Sequence, residues 1–534
     1  MNHNFEIISQ FSKPLEKTWE YLCMMAPREI GADASSHTMA GIPIWIAILS
    51  MAFIIIGSHF ILYFKSSKKS KGFRLNLLKF YPFKKLVLND SFPFLIQSFS
   101  IIVFLIILFA GFMTSQRHSI VPQLTWTWWW ALLIFFVFAF GNLFCAMCPW
   151  EGLTSIVTSF SITDRINRLG ISKIIPKKFR NLYPALILFI ILTWVELGYE
   201  VTSSPETTAF MGVSMVFCAI FFAIIFEKRT FCRYVCPVGR ISGIYSVLSP
   251  FEIRAKSKEV CNDCSGKECL MGTSTQRGCP MFLNPAKLSS NQYCTLCTEC
   301  IRACPEDNMA INLRPIGTDL KKISIFKKDE AIFIIVLLAL TTFHGMTMTP
   351  QWTRINQLLR VETGFDKYTV FTCLMALIIF AQLITYYLSA YTAKKLMNHD
   401  KYSTLKFFKT YAYSVLPLAL FYHLAHNSMH FFMEAQHLIP LLSDPFSYGW
   451  DLFGTAGKNY SQFLSLEVVW WIQMSLVIIG HMFGINAADN IYKKVFSHEK
   501  NGFLSFIPLI FVMIIYSAIS VFLLASPMEM RTGF

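Results

Sequence analysis

Ten apolar runs of roughly 17–25 residues recur along the chain, each long enough for a helix to cross a bilayer. They lie at about 41–64, 92–113, 125–144, 182–200, 208–227, 331–349, 368–392, 409–432, 463–485 and 503–525, with ends defined to within roughly 2–4 residues. Only 15% of the 534 residues are charged, against roughly 25% in soluble domains. In lipid the backbone must bond to itself, so runs of this length predict helices. The fold class expected is an all-α polytopic membrane protein of about ten transmembrane helices, broken by one long insert at about 228–330.

A formal charge of +15 could suggest nucleic acid, but the basic residues are not gathered in a soluble domain. They sit in loops between apolar runs, the pattern that orients a membrane protein. Lys65, Lys68, Lys69, Lys71, Arg74, Lys84 and Lys85 follow the first run, and Arg165, Arg168, Lys173, Lys177, Lys178 and Arg180 follow the third. Lys394, Lys395, Lys401, Lys406 and Lys409 follow the seventh, and Lys493 and Lys494 the ninth. Every alternate loop is basic and is expected to face the cytoplasm, which puts both termini outside. Trp126, Trp128, Trp129 and Trp130 fit an interfacial belt at the outer end of the third run. The polar N-terminus shows no cleavable signal peptide, so the first run is expected to remain as a transmembrane helix.

Of fifteen cysteines, twelve are clustered and Cys23, Cys218 and Cys373 stand alone. All twelve fall on the basic side, where disulfides rarely persist, so metal ligation is the expected use. CTLCTECIRACP, Cys294 to Pro305, reads C-x2-C-x2-C-x3-C-P, the bacterial ferredoxin run for a [4Fe–4S] cluster. Upstream, Cys261, Cys264, Cys269 and Cys279 form a stretched version, C-x2-C-x4-C-x9-C-P. In two-cluster ferredoxins the cysteine before proline ligates the other cube. That exchange predicts one cluster on Cys261, Cys264, Cys269 and Cys304, and a second on Cys279, Cys294, Cys297 and Cys300. The insert is therefore expected to be a small α+β two-cluster ferredoxin domain. Four parts follow: an outer-face segment 1–40, a five-span membrane domain 41–250, the cytoplasmic ferredoxin-like domain 251–325, and a five-span, histidine-rich membrane domain 326–534.

Two further pairs lie at matching depth beside the membrane. FCAMCPW carries Cys145 and Cys148 at the end of the third run, and FCRYVCPVGR carries Cys232 and Cys236 after the fifth. Proline stops each helix and exposes backbone N–H groups that can bond to sulfur. Four thiolates from two helix ends would make a third metal site, iron–sulfur or mononuclear iron; reduced structural thiols or disulfides are the alternatives.

Residues of about 90–315 resemble the membrane-bound polyferredoxins of the NapH, NosR and CcoG type, through FCAMCP, FCRYVCPVG and the two cysteine runs. The resemblance implies electron transfer between cytoplasmic clusters, the membrane quinone pool and an outer-face partner or metal. The first pair is one residue shorter than the family's usual C-x3-C, and five apolar runs follow residue 330 that NapH does not have. A bacterial inner membrane is the location this implies.

FYHLAHNSMHFFMEAQHLIP, in and beyond the eighth run, carries His423, His426, His430 and His437 within roughly 60° of helical arc. Asn427 and Glu434 border that face. Such a stripe should face the bundle interior and suits a redox metal, a proton path or a quinone. His344 lies level with His426 and His430, so a haem b or copper site would join them near the outer face, while His481 lies nearer the cytoplasm and could serve a quinone. Covalent haem is not expected, since C-x-x-C-H is lacking. The loop SDPFSYGWDLFGTAGKNY either docks a partner or caps the helices. Glu196, Glu200 and Glu206 could take protons from a quinol or serve as interface residues.

These residues lead to a membrane iron–sulfur electron-transfer protein. Its expected partners are membrane lipid, electron donors or acceptors on one or both faces, and quinone, with no nucleic acid. A quinol dehydrogenase or reductase subunit is the enzyme class it would fit. A metal-handling or assembly factor with copper on the histidines, or a cluster-based redox sensor, are the other readings.

Overall fold

The computed structural model describes residues 44–64, 73–114, 119–159, 171–227, 229–397 and 401–526. The segment 1–40, Cys23, and the basic residues Lys65, Lys68, Lys69, Lys71, Arg165 and Arg168 lie outside the described residues. A helix stands at each of the ten apolar runs: α1 Ile44–Phe64, α2 Ser91–Met113, α3 Ile120–Phe140, α4 Tyr183–Gly198, α5 Pro205–Ile225, α6 Lys328–Thr347, α7 Lys367–Met397, α8 Thr404–Glu434, α9 Leu466–Val495 and α10 Ile507–Ala525. Among the described residues seven helices, with α2, α3, α5, α6, α7 and α9 among them, are long and apolar enough to cross a membrane. The seventh spans Gly502–Ala525 and contains α10; α4 is shorter, at 16 residues.

Burial sorts the helices. α6 is the central one, with 78% of its apolar window inside the protein, against 22% for α2 and 28% for α5 and α7. The outer helices turn Phe99, Phe217, Phe221, Leu377 and Phe380 outward, the arrangement a hydrocarbon solvent stabilises. α8 lies beside α6 with its polar residues inward, and α9 approaches α8 across Gly480 and Gly484. A Cβ on Gly484 would stand 2.7 Å from Ser414 O, and one on Gly480 2.5 Å from Phe421 Cβ, so only small residues permit this approach.

The third apolar run is displaced from its predicted place. α3 starts at Ile120 and ends at Phe140, because Gly141 adopts φ +65° and turns the chain. Cys145 therefore lies not at a helix end but in a 3-10 turn, Asn142–Ala146. A second departure is the helix Pro350–Thr363, which no apolar run announced.

The insert carries a three-stranded antiparallel sheet in the order β1 (Leu75–Asn76), β3 (Met309–Leu313), β2 (Phe251–Ala255). Leu75 pairs with Leu313 and Ile253 with Ile311. Beside it Arg314 and Arg254 are buried against Glu252 and Asp319, and Asp319 Oδ2 accepts from the Asn291 backbone at 2.6 Å. That network fixes the approach to Cys294. The loop at 443–460 is ordered by Asp444, which accepts from the Tyr448 and Gly449 backbones at 2.8 Å each, and by Phe446 against the Phe109 ring.

Candidate functional site

Both Cys-Pro pairs use the same local device. Pro149 opens the helix Pro149–Ser159 directly after Cys148, and Pro237 opens Pro237–Tyr245 directly after Cys236. Proline suits the first helical position because its missing N–H would be unpaired there. The free N–H groups of each first turn then aim at the preceding sulfur. Gly239 N donates to Cys236 Sγ at 3.5 Å, and the Trp150 and Glu151 backbones bond to Cys148. Cys232 sits in a tight turn, Phe231–Val235, and Cys145 in its 3-10 turn.

The four thiols meet. Each lies within the electrostatic reach of others in the group, and all four line one cavity of about 140 Å³. That volume is several times the share of a single water in the liquid, about 30 Å³. A lone tetrahedral ion would draw its sulfurs to about 3.8 Å from one another. Among the described residues the three-ligand group gathered within 4.8 Å is a set of histidines, not these thiols.

Burial dominates the thiol chemistry. Loss of solvation pushes Cys148, Cys232 and Cys236 up to about 12, and Cys145 also well up, against the weaker opposing pull of N–H groups and Arg240. Without a cation these thiols hold their protons. Two cations are built in. Arg229 is buried and paired with Glu151 at 2.8 Å, beside both Cys232 and Cys297. Arg240 is buried over the Tyr293 ring at 4.1 Å, and its Nε and Nη2 have no hydrogen-bond partner. A buried cation left so is costly, and an anionic group held by the thiols would compensate it. The donor set therefore fits an iron–sulfur group. Neither arginine stood out in the sequence, since each is one basic residue in a short motif.

The remaining eight cysteines lie close to one another in the insert. The Cys269 thiol lies among Cys304, Cys261 and Cys264, and burial raises it to about 11. Cys300 lies among Cys297, Cys294 and Cys279, with Cys269 of the other set next in reach. Leu296 and Thr298 take left-handed φ, of 50° and 65°, which folds the ligand loop back on itself. Asn308 donates to Cys304 Sγ from its backbone at 3.4 Å and to Cys261 Sγ from its side chain at 3.3 Å. All fourteen described cysteines are free of disulfides. Cys279 also lines the four-thiol cavity, so a cysteine of the insert borders that group.

The insert is tied to the bundle through Tyr293. Its hydroxyl donates to Glu330 of α6 at 3.1 Å, and Glu330 also accepts from Tyr413 of α8. Gly243 lies under the ring, where a Cβ would come within 2.6 Å. From the four-thiol cavity, rings continue inward. Trp129 contacts Phe144, Trp150 and Trp130, and Trp130 lies 6.4 Å from His423. An apolar cavity of about 410 Å³ between α2, α3, α4 and α5 reaches from Cys148 to Glu196. Glu200 is instead exposed and paired with Lys367 at 3.1 Å, and Glu206 stands in the first turn of α5.

The histidines separate. His344, His426 and His430 come together, with ligand atoms within 4.8 Å of one another. His423 points to Tyr245, whose hydroxyl is 3.4 Å from Nδ1. His437 lies past the end of α8, beside Gln436. His481 has both ring nitrogens engaged, with Ser58 at 2.8 Å and Ser517 at 2.7 Å.

No family model matches the chain, and no solved structure matches it. An uncharacterised protein of Methanocaldococcus jannaschii is 27% identical over 186 residues, 34% of this chain and 68% of the relative. YccM of Escherichia coli, provisionally named an electron transport protein, is 36% identical over 85 residues, 16% of this chain and 21% of its own length. The ferredoxin-type protein NapH of Escherichia coli is 21% identical over 193 residues, 34% of this chain and 66% of NapH. Roughly a third of the chain, with the cysteine pattern described above, is thus a NapH-like polyferredoxin segment, and these relatives leave the rest uncovered.

Proposed function

We propose that this chain is a membrane iron–sulfur protein that moves electrons between a cytoplasmic two-cluster domain, the membrane and an outer-face acceptor or donor. The names of YccM and NapH support a membrane iron–sulfur electron-transfer role in general terms. The observation that carries the finer reading is the position of Cys279, which belongs to one cysteine set and lines the cavity of another. Adjacent sets let charge pass without a mobile carrier.

In this reading Cys261, Cys264, Cys269 and Cys304 hold one [4Fe–4S] cluster, and Cys279, Cys294, Cys297 and Cys300 hold the second. Cys145, Cys148, Cys232 and Cys236 hold a third iron–sulfur group, which would supply one-electron chemistry at the membrane edge. Arg229 and Arg240 offset its negative charge, and the first-turn N–H groups of the two Cys-Pro helices bond its sulfurs. The apolar cavity from Cys148 to Glu196 has the lining and length for a quinone ring, with Glu196 placed to hold a proton. The basic loops favour the cytoplasm for the ferredoxin-like insert and the bacterial inner membrane as its location.

Anaerobic purification with iron and sulfide counted, followed by EPR of the reduced protein, tests this. More than about eight irons, with a signal that Cys232→Ser removes while the others stay, is expected. About eight irons or fewer, unaffected by Cys232→Ser, would remove the third group.

A further inference from the structure

The iron–sulfur reading gives no role to three imidazoles brought together about 25 Å further along the bundle, taking the rise from Tyr413 to His430 on α8. His426 and His430 are four residues apart on one face of α8, and His344 reaches them from α6. Ring centroids lie 4.8 Å apart for His344 and His426, 5.0 Å for His426 and His430, and 6.3 Å for His344 and His430. Their ligand atoms all fall within 4.8 Å of one another.

Core histidines in this same protein look different. His481 engages a serine with each ring nitrogen, and His423 meets a tyrosine hydroxyl. In the triad the imidazoles face each other instead, and His430 Nε2 has no hydrogen-bond partner. Glu434 Oε1 lies 3.7 Å from His430 Nδ1, one turn on. Its other oxygen accepts from Thr127 at 3.3 Å, and its backbone carbonyl accepts from Gln123 at 2.6 Å, both on α3. At 3.7 Å the carboxylate is an electrostatic rather than a hydrogen-bonded neighbour, and its charge beside Nδ1 favours the tautomer protonated there, which leaves Nε2 to bind a metal.

We propose that His344, His426 and His430 form a mononuclear site for a divalent first-row transition-metal ion, with Glu434 positioning His430. Three imidazoles suit zinc, copper, iron or nickel. Haem does not fit the convergence: its two axial histidines stand on opposite faces of a wide ring, and the third imidazole would occupy the ring's space. Three protein ligands leave a coordination position open, as in catalytic rather than structural sites. His344 and His430 both line a polar cavity of about 830 Å³, with Arg360, Asn356 and Glu196 on its walls. The exposed pair Glu200 and Lys367 lies at its rim, so the open position has access from solution.

The test is titration of the cluster-loaded, full-length protein with Co2+ alone, read by the visible absorption of nitrogen-bound cobalt and by EPR of the iron–sulfur groups. One cobalt per chain is expected, lost in His426→Gln and His430→Gln and kept in His423→Gln, with the cluster signals unchanged in all three. Glu434→Gln leaves the ligands in place and should weaken binding about 10- to 100-fold. Cobalt bound equally by wild type and both triad variants would overturn the site. So would a haem absorption band in the purified protein that His426→Gln abolishes. Should a triad variant lose its cluster signals as well, the Glu434→Gln affinity decides, and an unchanged value rejects the site. Clusters absent from a protein that still binds cobalt at the triad would sink the electron-transfer reading alone.

Discussion

At one end of the molecule the candidate ligands come from turns, and at the other from regular helix near the ends of α6 and α8. Cys145, Cys232 and the ferredoxin-like loop project sulfurs from short, sharply bent segments, with Thr298 and Leu296 in left-handed backbone. His344, His426 and His430 instead sit on two long helices, where the packing of α6 against α8 decides whether they meet. The turn-built end surrounds its sulfurs with N–H donors and two arginines, as an anionic group requires. The helix-built end offers neutral nitrogens and a single carboxylate beside them. On the readings proposed above, one end would spread charge over a cluster, and the other would hold one ion with a position to spare.

Removing one thiol should have the largest effect. Cys232→Ser is expected to abolish the membrane-edge signal while the two ferredoxin-like signals persist, as measured by EPR; loss of all three together would mean that the sets are not separate. Proton release gives the next contrast. Thiols raised to about 12 by burial must each lose a proton on binding metal, so iron or zinc uptake by cluster-free protein should strengthen as pH rises. Four such protons, one for each thiol of the group, correspond to about ten-thousandfold per pH unit well below those values, whereas imidazole ligands in general release almost none above pH 7. Competition with a chelator between pH 6 and 8 would measure both slopes, and equal slopes would erase the distinction.

The cysteine end was largely open to sequence reasoning because its ligand spacing is local. CTLCTECIRACP carries its geometry within twelve residues, and the proline after Cys148 and Cys236 announces where each helix begins. What spacing did not contain was the charge around it: Arg240 becomes a buried, under-bonded cation only when the chain folds over Tyr293. The histidine stripe was legible as a face but not as a site. His423, His426, His430 and His437 share one arc, yet α8 ends at Glu434 before His437, and His423 is turned toward Tyr245. Angular position on a helix says nothing of which neighbour stands at each depth. The helix Pro350–Thr363, with Trp352 buried and Arg360 on the basin wall, was missed because its apolar residues are too few to make a run.

Arg240→Met should produce a moderate and selective change. A unit charge about 4 Å from another is worth roughly 4 kcal/mol at an effective dielectric of about 20. Removing this cation disfavours the more negative, reduced form, so the membrane-edge potential should fall by on the order of 100 mV in redox titration. An unchanged potential would remove Arg240 from that environment. The smallest expected effect belongs to the helix-built end. Gly484→Val places methyl groups against Ser414 O and Met513, and should cost about 1–3 kcal/mol in thermal unfolding. Cobalt affinity at the triad should drop with it, while the cluster signals hold.

Tyr293 gives the two ends a shared mechanical frame. It is the residue before Cys294, and its hydroxyl bonds to Glu330 at the foot of α6, where Tyr413 of α8 also bonds. α6 and α8 thus rise like two struts from one footing, and the histidines stand near their tops. α8 carries Pro417 between that footing and the histidines, where the helix lacks one backbone hydrogen bond, so a tilt at the footing is shared between the length of the helix and that joint. A shift in how the loop carrying Cys294 is seated would then reach the gap between His344 and His430, and a gauge placed across the histidines would register strain applied at the sulfurs.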